Sequence, residues 1–413
     1  MTRPIRLLIN PAAMTHNLGR VRDLLRQASS DFPSTPRVWA VIKADAYGHG
    51  IETAVGAFAT ADGLAMLDFE EAIRSRKAGW TKPILMLEGA FDQADLQACE
   101  RYDLCPVVHE QGQIDMIDAH RFDRSIHVYL KLDTGMHRLG FPPDRYRQAF
   151  DVLCGLQAAG KLASIGHMTH FACADEPDGI DVPLEVFNGV VQGLPGLRCV
   201  ANSAAVLAHT RKMIEMVDSG AVAGEGRVLS VPPGGTASPA SWVRPGICLY
   251  GASPLVDRPA NQLGLQASMT LVSRVLSVRV VRAGEGIGYS YLYRARQDMR
   301  VAVVACGYAD GYPRHAPSGT PIVVNGQRAT LAGRVSMDML TVDVSHLPRV
   351  DVGDEVILWG KAARASMKWL RPAKPSVMSF SQRSRQGCHE CLSEGCVWHL
   401  PLAPGLDPVS LAC

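Results

Sequence analysis

Apolar and polar positions fall into two regimes along this chain. From Val38 to Tyr250, short apolar runs alternate with stretches whose apolar residues recur every three or four positions. The runs Val38–Lys43, Gly63–Leu67, Pro83–Leu87, Leu104–Val108, Ile126–Leu132, Leu162–His170, Leu197–Asn202 and Val243–Tyr250 have the length and composition of strands buried on both faces. Amphipathic stretches such as Phe69–Ala78, Glu110–His120, Arg145–Ala159 and Ser203–Met216 separate them and predict helices, as does Pro11–Gln27 with proline at its start. Eight strands alternating with helices over about 240 residues predict an α/β fold, a (β/α)8 TIM-type barrel. From Leu265 the period changes. Ser268–Val281, Met299–Cys306, Thr320–Val324 and Asp351–Trp359 alternate or run apolar, with turn signals such as Asn325-Gly326, and predict a C-terminal all-β domain. The run Ile5–Ile9 precedes the first barrel helix and is expected to join that domain. The expected division is 11–250 for the barrel, 1–10 with 251–360 for the β domain, and 361–413 for an atypical tail without period, expected to be disordered.

A barrel of this kind places its chemistry at the C-terminal ends of the strands. Lys43 ends the first predicted strand there, and Lys131, Asp133 and Arg138 lie at or just after the fifth. His170 ends the sixth, Asn202 and Ser203 the seventh, and Arg244 to Ile247 the eighth. A lysine closing a buried strand is costly unless paired, neutral or covalently used. Burial lowers an ammonium pKa and turns the amine into a nucleophile toward a carbonyl.

Composition narrows the partners. The 413 residues carry a net charge of +2, which argues for neither a nucleic-acid partner nor a membrane surface. No apolar run is long enough to span a bilayer, and no secretory h-region follows Arg3 and Arg6, so a cytoplasmic protein is expected. Eleven mostly scattered cysteines suit a reducing compartment.

Eight motifs then carry a resemblance. Lys43-Ala44-Asp45-Ala46-Tyr47-Gly48-His49-Gly50 closely resembles the pyridoxal-phosphate (PLP) lysine motif of alanine racemases. Leu130-Lys131-Leu132-Asp133-Thr134-Gly135-Met136-His137-Arg138, Thr169-His170-Phe171-Ala172, Ala201-Asn202-Ser203-Ala204 and Trp242-Val243-Arg244-Pro245-Gly246-Ile247 extend it through the barrel. In the β domain it continues through Gly286-Ile287-Gly288-Tyr289-Ser290, Gly307-Tyr308-Ala309-Asp310-Gly311 and Gly333-Arg334-Val335-Ser336-Met337-Asp338. The resemblance covers roughly residues 1–360.

It implies a PLP-dependent enzyme interconverting L- and D-alanine by a two-base mechanism with Lys43 and Tyr289, and so supplying D-alanine for peptidoglycan. It further implies that Tyr47, His170, Asn202, Ser203, Arg244, Gly246 and Ile247 bind the cofactor, with Arg244 facing the pyridine nitrogen and Gly246 and Ile247 offering amides to the phosphate. Arg138 would orient the substrate carboxylate, beside a Lys131 that is often carbamylated in the family. Met337 and Tyr308 match a substrate-contacting and an entrance position. No metal is implied. Because the family tyrosine comes from the neighbouring subunit, a homodimer with shared sites is expected. Arginine cannot give up its proton, so it leaves the pyridine nitrogen unprotonated and favours racemisation over transamination.

Two segments depart from the family. The stretch from His209 to Trp242 is rich in Gly, Pro, Ser and Ala and reads as a loop, longer over Ser219–Ser241 than its counterpart. After Gly360 the expected Tyr-Glu-Leu and Arg-Val-Pro segments are missing, yet both are recoverable one base out of phase, so the tail looks frame-shifted. Its Cys388-His389-Glu390-Cys391, Cys396 and His399 have zinc-ligand types. Alternatives left open are a broader amino-acid racemase, a decarboxylase on the same fold (against which Arg244 argues), and a destabilised member that only binds PLP.

Overall fold

The computed structural model describes residues 3–32, 35–218 and 241–360. Arg6–Ile9 forms β1, and the expected apolar runs follow as β2 (Arg37–Val41), β3 (Gly63–Met66), β4 (Ile84–Met86), β5 (Leu104–Val108), β6 (Ile126–Lys131), β7 (Leu162–Met168), β8 (Arg198–Ala201) and β9 (Trp242–Val243). From β2 to β9 each strand pairs in parallel with its sequence neighbour, and β9 pairs with β2, closing an eight-stranded barrel. Helices return the chain between strands, among them Ile51–Ala57, Phe69–Lys77, Gln93–Tyr102, Gln111–Ala119, Pro143–Ala158 and Asp181–Val191.

Alternate strand residues divide the core in two. Leu64, Ile84, Val128, Leu130 and Val243 face the helices, which answer with Leu18, Phe58, Leu96, Tyr146 and Phe187. Trp39, Ala65, Leu85, Cys105, Val107, Tyr129, Cys199 and Trp242 fill the barrel interior. Trp39 and Trp242 stack with ring centroids 4.1 Å apart, and Tyr129 meets Trp39 edge-on. Gly63 makes room for that stack: a Cβ there would lie 2.2 Å from the Trp39 ring. Overpacking of this kind typically costs about 1–3 kcal/mol. Gly63→Ala is therefore expected to lower stability by about that amount, read as a fall in Tm with secondary structure retained.

The remaining strands are β10 (Met269–Val281), β11 (Gly286–Ile287), β12 (Tyr293–Arg294), β13 (Met299–Val304), β14 (Pro321–Val324), β15 (Gln327–Leu331), β16 (Leu340–Asp343) and β17 (Glu355–Trp359). They order as β1-β10-β13-β16-β15-β14-β17, and β17 returns to β10, so six strands close on themselves. Asn325-Gly326 turns β14 into β15 with Val324 opposite Gln327, both turn residues at positive φ, as the predicted hairpin requires. β1 lies at the edge of this sheet, beside β10.

Among the described residues, Leu7–Leu271 with Trp359 and Gly360 form one compact unit, and Arg3–Arg6 with Val272–Leu358 form the other. Residues 7–10 and 251–271 thus group with the barrel, where the sequence division put them in the β domain. Three differences between the predicted and observed elements bear on the site. The eighth predicted strand, Val243–Tyr250, is extended only at Trp242–Val243, because Pro245 has no N–H for a ladder, and Ile247–Tyr250 curls into a 3-10 helix. The predicted helix Ser203–Met216 breaks at His209 into Ser203–Ala208 and Thr210–Asp218, so helix also occupies the start of the predicted loop. Strand β2 stops at Val41, two residues short of Lys43. Residues 219–240 and the tail 361–413, with its cysteine cluster, lie outside the described residues. Among the described residues no helix is long and apolar enough to cross a membrane.

Candidate active site

Lys43 begins a tight turn instead of ending a strand. Ala44, Asp45, Ala46 and Tyr47 all take left-handed backbone angles, with φ of 56°, 48°, 56° and 54°. For residues with a Cβ this conformation costs roughly 1–2 kcal/mol each, so neighbours must hold it. Ala46 N donates to Ile42 O at 2.9 Å and Gly50 N to Asp45 O at 2.9 Å. Asp45 N donates to Glu71 Oε1, and Ile51 N to Asp45 Oδ1. The turn projects Lys43 and Tyr47 into a cavity of ≈ 770 Å³ at the C-terminal end of the barrel. That volume lies in the range of small-molecule sites. The cavity is lined entirely by residues of the barrel unit, and the interior residues Val41 and Met168 also line it.

Every residue predicted from the barrel motifs reaches this one cavity: Lys43, Tyr47, Lys131, Arg138, His170, Asn202, Ser203, Arg244, Gly246 and Ile247. Lys131 closes β6, and the loop after it is pinched shut by Asp133 N to Phe141 O at 2.9 Å and Phe141 N to Lys131 O at 2.8 Å. Asp133 Oδ1 accepts from the amides of Gly135 and His137, shaping the arch from which Arg138 enters the cavity. Arg244 is buried, and its guanidinium donates to the carbonyls of Cys199 at 2.6 Å and Thr169 at 2.5 Å and contacts Cys199 Sγ at 2.9 Å. Asn202 caps the helix Ser203–Ala208 by accepting from Ala205 N, and its amide donates to Phe171 O. Gly246 N donates to Ser203 Oγ at 2.8 Å, which commits that amide while leaving the hydroxyl its own proton. A Cβ on Gly246 would lie 2.5 Å from the Tyr47 hydroxyl, so glycine sets that close approach.

Burial and crowding of cations tune the protons. Burial, reinforced by Arg138 and opposed by Glu88, pushes the Lys43 amine below its ordinary pKa. Burial, then Arg244 and Arg138, pushes Lys131 down to about 8. Burial, then Arg244, Lys131, Arg138 and Lys43, pushes His170 down to about 3, so its ring stays neutral at physiological pH. Arg244 Nη2 lies 3.4 Å from His170 Nδ1, which a neutral ring can offer as an acceptor. Burial, then Cys248, raises the Tyr47 hydroxyl to about 12.

The Lys131 shift carries a stability prediction. In the unfolded chain the lysine titrates near 10.5, so between about 8 and 10.5 the unfolded state binds more protons and stability rises with pH. Below about 8 the cofactor-free protein bears the full penalty of a buried ammonium, at most about 3 kcal/mol. Lys131→Met should therefore raise the Tm of the cofactor-free chain at pH 7. That advantage should fade as the pH approaches 10.5, measured as the difference between variant and parent.

The residues predicted from the β domain stand on the other unit. A two-stranded ribbon pairs β11 with β12, and its tip carries Tyr289, Tyr291 and Leu292, which are 67%, 62% and 64% exposed. Tyr308 and Met337 are laced side by side, with Tyr308 N donating to Ser336 O and Ala309 N to Met337 O. Both side chains are exposed.

Two polar cavity residues stand apart from the motifs and touch one another. Glu88 and His109 line it directly after β4 and β5. The Glu88 carbonyl accepts from His109 Nε2 at 3.0 Å and Gln113 Nε2 at 2.9 Å, while Gln113 Oε1 accepts from His109 N. Each follows a predicted strand by one residue, which was the available signal.

Comparison with known proteins agrees with this layout. The family model for Alanine racemase, N-terminal domain, matches residues 9–223, and that for Alanine racemase, C-terminal domain, matches residues 268–376. The latter reaches beyond residue 360, past the 1–360 span covered by the motifs. The alanine racemase of Bordetella avium is 48% identical over 87% of this chain and 91% of its own length. That of Polaromonas naphthalenivorans is 46% identical over 88% and 91%. The crystal structure of biosynthetic alanine racemase from Pseudomonas aeruginosa superposes with a TM-score of 0.75 at 38% identity, over 87% of this chain and 91% of that one. With its parallel barrel, its β unit and a lysine-bearing cavity at the barrel's C-terminal end, the chain belongs to the alanine racemase family.

Proposed function

We propose that this chain interconverts L- and D-alanine, using PLP held in the barrel cavity, and supplies D-alanine for peptidoglycan in the cytoplasm. The observation that carries the reading is the convergence of Lys43, Lys131, Arg138, His170 and Arg244 on one cavity of suitable size. The donor set suits the cofactor: an amine of lowered pKa, a hydroxyl at Ser203, a neutral aromatic ring at His170 and a buried guanidinium at Arg244. When bound, PLP supplies the electron sink that makes the α-proton of an amino acid acidic.

The protein's residues do the rest. Lys43 Nζ, its pKa lowered by burial, takes the α-proton on one face and returns it. Arg138 offers a guanidinium fork that suits a carboxylate. Arg244 has donors and no acceptor, so toward a ring nitrogen it can only donate and cannot pass on a proton. Tyr47, Asn202, Ser203 and Ile247 would hold the cofactor's remaining polar groups, with Gly246 as the close backbone beside them, its own amide given to Ser203 Oγ rather than to the phosphate. The second base is Tyr289, brought to the cavity by a second copy of this chain in a homodimer, with Met337 and Tyr308 at the substrate entrance. The exposure of Tyr289, Tyr291, Leu292 and Met337 on one unit supports that role, because exposed aromatic and Met side chains are typical of interfaces. Incubating the PLP-loaded protein with L-alanine in D2O tests the reading. D-alanine should appear with deuterium at the α-carbon; recovery of L-alanine alone, with no D-alanine formed, would overturn it.

A further inference from the structure

His49 follows the left-handed turn and plays no part in the chemistry proposed above. Its Nδ1 lies 3.0 Å from Ala46 O and 3.0 Å from Tyr47 O. Carbonyls only accept, so Nδ1 carries the proton and the ring clamps the last two residues of the turn. On its other side Nε2 lies 2.7 Å from Ser268 Oγ. Ser268 is itself fixed, its carbonyl accepting from Asn10 N at 2.7 Å and its amide donating to Tyr250 O. The Tyr250 ring contacts both Tyr47, at 4.5 Å, and His49, at 4.7 Å, and its hydroxyl donates to Val41 O. Asp45 is held at the start of the turn by Glu71, so His49 is the side chain that holds its end.

We propose that His49 is a positioning residue: by binding the carbonyls of Ala46 and Tyr47 and anchoring to Ser268, it keeps the left-handed turn wound and so aims Lys43 and Tyr47 into the cavity. The proposal rests on the reading that Lys43 holds the cofactor. Burial lowers the His49 pKa. Nδ1 donates to the carbonyls, and Ser268 Oγ, 2.7 Å from Nε2, is itself held by donating to Tyr250 O at 2.8 Å. Without the clamp, four backbone residues in an unfavourable conformation lose the group that ties their end to the barrel. A displacement of about 1 Å at a reacting group can cost about 100-fold.

The test compares His49→Leu, which fills the space without a donor, His49→Asn, whose short amide can still donate to the two carbonyls, and Ser268→Ala. The readouts are PLP affinity of the cofactor-free protein by absorbance titration, hydrogen exchange of the segment 43–51, and kcat and KM for alanine. His49→Leu should weaken PLP binding and lower kcat by about 10- to 100-fold, with KM within about threefold and faster exchange confined to the turn. His49→Asn should recover most of the affinity. Ser268→Ala should fall between, and it decides the matter if His49→Leu does not fold. Unchanged PLP affinity and exchange in His49→Leu, or in Ser268→Ala if that variant must decide, would overturn the proposal. Equal loss in Leu and Asn would reduce His49 to packing and also overturn it. A parent protein that binds no PLP would instead refute the reading of Lys43.

Discussion

Lys43→Ala is expected to lower racemisation by about 10⁴-fold or more while leaving the barrel folded. The magnitude follows from the two tasks placed on one amine, holding the cofactor covalently and moving the α-proton. The fold should survive, because Lys43 is only partly buried and forms no part of the ladder, β2 having ended at Val41. Removing a crowded cation also relieves Arg138 and His170, both of which face it electrostatically. Circular dichroism and Tm should therefore match the parent to within a few degrees, while D-alanine formation disappears. Activity within tenfold of the parent would remove Lys43 from the chemistry.

Tyr289→Phe is expected to lower racemisation by about 10²- to 10⁴-fold, the usual worth of a positioned proton-transfer group. The side chain is 67% exposed at the tip of the β11–β12 ribbon, so losing its hydroxyl leaves the β unit's packing intact. The informative feature is asymmetry. With one base removed and Lys43 left in place, α-proton exchange should survive chiefly from D-alanine, and PLP should still bind. Equal loss of exchange from both enantiomers would count against two bases on opposite faces. A variant as active as the parent would move the second base elsewhere, Tyr291 being the nearest alternative on the same tip.

The pattern of apolar runs was enough to read the barrel, because each strand is buried on both faces and stands out as a short continuous run. The strands β15 and β16 were harder to see. Gln327–Leu331 reads Gln-Arg-Ala-Thr-Leu, with only two apolar residues, and Leu340–Asp343 has four positions, too short for a period to register. The turn at Lys43 was hidden for a different reason. Nothing in Ala44, Asp45, Ala46 or Tyr47 favours a left-handed path. Glu71 and Ser268, distant in sequence, supply part of what holds it. Ten residues named from the motifs line one cavity, but Glu88 and His109, which line it too, belong to no motif. A single polar residue after a strand looks like any loop residue until the barrel closes around it. Gly246 illustrates the same limit, since its amide meets Ser203 only once β9 has curled into the 3-10 turn.

The most direct measurement is chemical. The PLP-loaded chain is reduced with borohydride, digested and mapped by mass spectrometry. The account predicts one pyridoxyl group per chain, on the peptide carrying Lys43, with Lys131 unmodified. A label on Lys131 or any other lysine, or no label on a chain that still racemises alanine, would contradict it.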